Sequence, residues 1–138
     1  MSLTPRQLFD FAAGLDPALS EAHARSAISR AYYALLHRAD EVTPAQFKRP
    51  ADKGATHERV IAAVERHGNS LLPGRGCARK LMRPLHELKN LRVDADYRLE
   101  LTIKEEQARK CLIQARTALG WCDEIDRQIG QTPPPSGG

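Results

Sequence analysis

From Ala18 to Glu41 the chain carries neither proline nor glycine, and along that run and just past it Ile28, Tyr32, Leu35, Ala39 and Val42 recur every three or four residues. That spacing is the period of an α-helix. Asp16-Pro17 supplies a start signal, with Asp16 as cap and Pro17 in the first turn. The pattern predicts a helix of about 25 residues, roughly 37 Å long at 1.5 Å per residue. A chain of 138 residues can build one core, and that core has to be arranged around this rod.

The other face of the rod holds the chemistry. Ser26, Arg30, Tyr33 and His37 follow one another at spacings of four, three and four, which brings them to one side of the helix. A surface helix ordinarily presents a freely varied charged face. This one gathers an arginine that suits a developing phosphate charge and a histidine that exchanges protons near neutral pH. The residues alone leave two readings open. Arg30 and His37 act on an anion, or Arg30 pairs with an internal acid such as Asp96 while Tyr33 packs and His37 fills a polar gap.

The remaining segments also read as helices. Thr4, Pro5 and Gln7 have the spacing of a capping box, and Leu8, Phe9, Phe11 and Ala12 follow before Gly14, which predicts a short apolar lid. Residues 43–54, TPAQFKRPADKG, form a loop. Thr56 is expected to cap a helix to about His67, with Val60, Ile61 and Val64 inward and Gly68 at its stop. The loop NSLLPGRG lacks the Gly-Lys-Ser/Thr ending of a P-loop. From Cys77 to about Val93 a basic helix buries Leu81, Leu85 and Leu88, and Arg92 extends their stripe, so Arg92 points inward or along a groove. Pro84 is expected to kink or split this helix, which then gives way to a corner at VDADYR. A capping box at Thr102 to Glu105 opens the last helix, with Ala108, Cys111, Leu112, Ala115, Leu119, Cys122, Ile125 and Ile129 at core spacing. Residues 131–138, QTPPPSGG, have the composition of a disordered tail. No segment alternates with the period of a strand. The expected fold class is all-α, one domain over residues 1–130: an antiparallel four-helix up-and-down bundle with one extra short helix.

Composition narrows the function classes. No apolar run approaches the roughly 18 residues that span a bilayer, and MSLTPRQLFDF lacks the basic-then-apolar order of a secretory signal, so the reading is a cytoplasmic protein with no membrane contact. The three cysteines contain no CxxC pair, which argues against a disulfide framework and a zinc knuckle and predicts buried thiols. A net charge of +4 fits an anionic partner. Between Ser70 and Val93 six arginines and lysines face one acid, Glu87. Arg79 and Arg83 there are candidates to hold a phosphate backbone, although such a run also suits a solvated face. It has almost no aromatic residues to stack bases. Arg92, Asp96 and Tyr97 suit either a ligand or a lock between helices.

Ser29-Arg30-Ala31-Tyr32-Tyr33-Ala34-Leu35-Leu36-His37, followed by Leu88-x3-Arg92-x2-Ala95-Asp96-Tyr97, resembles a bacterial and archaeal branch of the HEPN superfamily (higher eukaryotes and prokaryotes nucleotide-binding domain). That branch has an SRAYYA-x-x-H helix followed by an R-x-x-ADY corner. The resemblance covers about residues 5 to 129. It implies a bundle of four to five helices that works as a homodimer. Active members are metal-independent endoribonucleases, often toxins paired with a nucleotidyltransferase antitoxin, and RNA is the partner this implies; no metal or other cofactor is expected. Their signature is an arginine followed after four to six residues by a histidine, met here by Arg30-x6-His37. The toxins carry the pair nearer a late helix, where this chain has Arg92 and then Asp96-Tyr97 without a histidine.

Overall fold

The computed structural model describes residues 2–50, 52 and 54–131; the expected tail from residue 132 onward lies outside them. Five α-helices follow in order: α1 (Pro5–Gly14), α2 (Glu21–Val42), α3 (Thr56–Gly68), α4 (Arg75–Tyr97) and α5 (Glu105–Gly130), with a 3-10 turn at Ala45–Phe47 between α2 and α3. The four long helices form an antiparallel up-and-down bundle, and α1 covers α2 and α5.

The expected rod lies at the centre, because α2 packs against all four other helices. Ala24, Ala27, Ala31 and Ala34 are buried along it, and such small side chains allow close packing on several sides. Ile28, Tyr32 and Leu35 fill the core with Leu81, Leu85, Leu88 and Leu119. Each Leu-sized side chain so buried contributes about 1.5–3 kcal/mol. Cys77, Cys111 and Cys122 are free and buried, as expected. Among the described residues no helix is long and apolar enough to cross a membrane.

The start of α1 follows its sequence signal, with the Thr4 hydroxyl accepting the Gln7 N–H at 3.1 Å and the Gln7 carboxamide accepting the Thr4 N–H at 2.9 Å. Three other boundaries differ. Helix α2 starts at Glu21, not Pro17: Asp16 spends its carboxylate on the Ala18 N–H at 2.9 Å, closing one turn, and Ser20 accepts the His23 N–H at 3.1 Å as the cap. Thr56 is the first residue of α3 and makes no cap; Ala55 precedes the helix without a side-chain bond. Arg66 ties the preceding loop to α3 instead, donating to both Asp52 carboxylate oxygens at 2.9 and 2.6 Å and to the Phe47 carbonyl at 2.8 Å. Helix α5 is entered at Lys104, whose N–H donates to the Gln107 carboxamide at 2.8 Å, not at Thr102. Ile129, assigned to the core stripe of α5, lies one residue from the helix end and is 36% exposed.

The largest difference lies in α4, which continues through Pro84 and through Val93-Asp94-Ala95-Asp96-Tyr97 without a break. Pro84 is buried beside Leu81 and Leu85, so core packing outweighs the local penalty of the missing N–H. The real corner begins at Arg98. The last carbonyls of a helix need donors, and Arg25 reaches across from α2 to supply them, bonding the carbonyls of Asp94, Ala95 and Arg98 at 3.0, 2.9 and 3.3 Å and also that of Leu101.

Candidate functional site

Helix α2 presents Ser26, Arg30 and His37 at the surface, with Tyr33 half-buried between them. Its three arginines differ in what holds them. Arg25 is spent on the α4 corner and on Glu21, and Arg38 on Glu41, Asp123 and Asp126 at 3.1, 3.1 and 3.4 Å. Arg30 has no ion pair or hydrogen bond among the described residues. The expected alternative, an Arg30 to Asp96 pair, is therefore not formed.

Asp96 is taken by others. It accepts the Ser29 hydroxyl at 3.0 Å and lies 3.6 Å from the Arg92 guanidinium one turn away on α4. Arg92 does point inward and is only 6% exposed. Its guanidinium stands 5.7, 5.5 and 5.5 Å from the ring centres of Tyr32, Tyr33 and Tyr97, close enough for cation–π attraction. Arg92 Nε is buried without a hydrogen-bond partner, alone in this among the side chains described. Tyr97, by contrast, is mostly exposed.

A residue that the sequence did not single out completes the cluster. His57, near the start of α3, sets its Nδ1 2.9 Å from the Tyr32 hydroxyl. The two rings stack at 5.6 Å with 12° between their planes, and Tyr33 lies 5.6 Å from the same imidazole. His37 approaches Tyr33 from its own helix at 6.4 Å and also borders a cavity with Leu3, Pro5, Leu8 and Glu41, where the chain enters α1. Burial, and then the charges of Arg92 and Lys89, hold the His57 pKa below the usual 6.5, against a smaller opposing pull from Glu58. Burial pushes the Tyr32 phenol up to about 12, so its hydroxyl stays protonated at neutral pH. Only its contacts with Tyr32 and Tyr33, on another helix, mark His57, and no spacing rule reaches that far.

Arg79 and Arg83 stand elsewhere. Arg79 Nε donates to the Gly68 carbonyl at 2.6 Å, closing the end of α3. Arg83 pairs with Glu87 at 2.7 Å and borders a groove with Lys80, Gln114 and Trp121 between α4 and α5. At roughly 100° per residue, Arg83 lies on the side of α4 opposite the inward-pointing Arg92, so the structure does not bring Arg83 to the tyrosine cluster. Among the described residues no group of three or more His, Cys, Asp or Glu side chains is placed to hold a metal ion.

What the site defines is a class by chemistry: an α-helical surface with an arginine unpaired among the described residues and two imidazoles around one tyrosine, backed by a buried guanidinium. No family model matches the chain, and no curated protein and no solved structure matches it.

Proposed function

We propose that this bundle acts on RNA in the manner of the HEPN superfamily, as a metal-independent endoribonuclease of a toxin–antitoxin or defence system. Arg30 and His37 are its catalytic pair, two such faces meet in a homodimer, and a nucleotidyltransferase is the antitoxin partner. The observation that carries this reading is Arg30, the one α2 arginine without a partner among the described residues, standing exposed on the face of His37. An exposed guanidinium left unpaired binds a phosphate oxygen without first breaking an ion pair. Seven residues separate it from His37, a rise of about 10 Å, a gap that a second protomer or the length of the substrate spans. Tyr33 and Arg92 line the approach.

The test is cleavage of total RNA by the purified protein in EDTA, with His37→Ala as control. EDTA silences metal-dependent contaminants, so fragments made by the wild type alone support the reading. A second reading draws on Asp96, whose carboxylate is occupied by Ser29 and Arg92: a non-catalytic module that binds RNA, a nucleotide or a nucleotidyltransferase through the same face. Salt-sensitive RNA binding without cleavage in that assay selects it over the first.

A further inference from the structure

Metal-independent cleavage of RNA needs two proton transfers, one from the attacking 2′-hydroxyl and one to the departing 5′-oxygen. Helix α2 carries two histidines, each seven residues from Arg30, but His23 is bound at Nδ1 by the Ser20 hydroxyl at 2.7 Å where α2 begins. That leaves His37, and one imidazole does both jobs only by exchanging its proton in between. The fold brings a second to the same tyrosine. His37 and His57 lie 6.4 and 5.6 Å from the Tyr33 ring centre, so the two imidazoles stand no farther apart than the sum of those separations.

We infer that His57 is the second catalytic histidine of this surface, the base that takes the 2′-hydroxyl proton of a single-stranded RNA while His37 protonates the leaving oxygen. The inference rests on the nuclease reading given above. In the tautomer where Nδ1–H donates to the Tyr32 oxygen, the Nε2 lone pair is free. Nε2 has no hydrogen-bond partner among the described residues. The residue itself is only half-buried. Tyr32 thus fixes the ring through Nδ1 and leaves Nε2 as the nitrogen that takes a proton.

The groups around His57 suit a base. From α2 it faces Tyr32, Tyr33 and His37, from α4 Lys89 and Arg92, and on its own helix Glu58. Positive neighbours disfavour a proton on the resting imidazole and attract the phosphate, whose neighbouring 2′-hydroxyl then supplies one. The step balances. The 2′-oxygen loses its proton to His57 Nε2 and bonds to phosphorus, the bond from phosphorus to the 5′-oxygen breaks, and His37 gives that oxygen a proton. The products are a 2′,3′-cyclic phosphate and a 5′-hydroxyl, and the two histidines then exchange roles if water opens the ring.

The experiment follows kcat/KM against pH for a 5′-labelled single-stranded RNA in EDTA, using wild type, His37→Ala and His57→Asn. The Asn carboxamide keeps a polar atom near Nδ1 for Tyr32 and lacks Nε2, so the thermal midpoint is expected to stay near that of the wild type while the rate falls at least about 100-fold. His57→Gln makes the same comparison if the Asn variant does not fold. The wild type should give a bell, the residual activity of His57→Asn should lose its acidic limb, and His37→Ala should make no fragments. Cleavage at the wild-type rate by folded His57→Asn, with the acidic limb intact and His37→Ala inactive, overturns the role of His57 and leaves the nuclease reading standing. No cleavage by the wild type overturns both.

Discussion

Arg92 and Asp96, one turn apart on α4, form an ion pair at 3.6 Å in which the base is buried and the acid is 28% exposed. The long pair and the unpartnered Nε indicate that the guanidinium is held more by the Tyr32, Tyr33 and Tyr97 rings than by the carboxylate. Arg92→Ala empties the space between those rings and should lower stability by about 3 kcal/mol. Arg92→Met keeps the bulk without the orphaned donor and should come within about 1 kcal/mol of the wild type in urea unfolding. Equal losses in the two variants would show that charge, not packing, holds the cluster.

Arg30→Ala should behave oppositely. An exposed side chain with no partner contributes little to the fold, so the change should stay within about 0.5 kcal/mol in the same unfolding experiment. RNA affinity should drop, and the slope of log affinity against log salt should fall by about 1 if one phosphate contact is lost. Unchanged affinity and slope would remove Arg30 from the RNA face.

How much of this was legible beforehand depends on the range over which each signal acts. Helix periodicity is local, so the bundle, the buried cysteines and the inward Arg92 follow from spacing alone. Caps are local too, yet they compete: Asp16 and Ser20 both suit the start of α2, and the nearer Asx turn of Asp16 leaves the helix to Ser20. Pro84 reads as a break because its penalty is local, whereas the packing that overrides it comes from other helices. The candidate site was half visible. Arg30, Tyr33 and His37 share a helix face, but the partner of Asp96 and the arrival of His57 are set by how α2, α3 and α4 meet, which no spacing encodes.

Cys111 and Cys122 test the core chemically. Burial pushes both thiols up to about 12, and the thiolate is the reactive form. A disulfide reagent at neutral pH should leave these two untouched in the native protein and label them promptly in denaturant. Rapid native labelling at either position would mean that α5 opens locally, at a cost well below global unfolding.

Gly74 precedes α4 at φ +88°, a left-handed conformation that costs side-chain-bearing residues about 1–3 kcal/mol. A Cβ there would stand 3.1 Å from Ile125 Cγ2 and 3.2 Å from His67 Cε1, and His67 is itself held by the Pro73 carbonyl at 2.8 Å. Gly74→Ala should therefore destabilise by about 2 kcal/mol or more, strain and crowding together. A change near zero would mean that the turn into α4 relaxes independently of the core.

The pH dependence of stability gives the last check, and its sign is fixed by His57. Its folded pKa lies below the 6.5 of the unfolded chain, so between those two values the unfolded chain binds more protons and stability rises with pH. The contribution is complete above about 6.5 and is lost as pH falls through the folded value. The difference between wild type and His57→Gln isolates this residue. The difference in unfolding free energy should be flat above neutrality and shrink steadily on acidification. If it instead grew as the pH fell, His57 would be protonated in the folded state, and a carboxylate rather than Arg92 and Lys89 would dominate its surroundings.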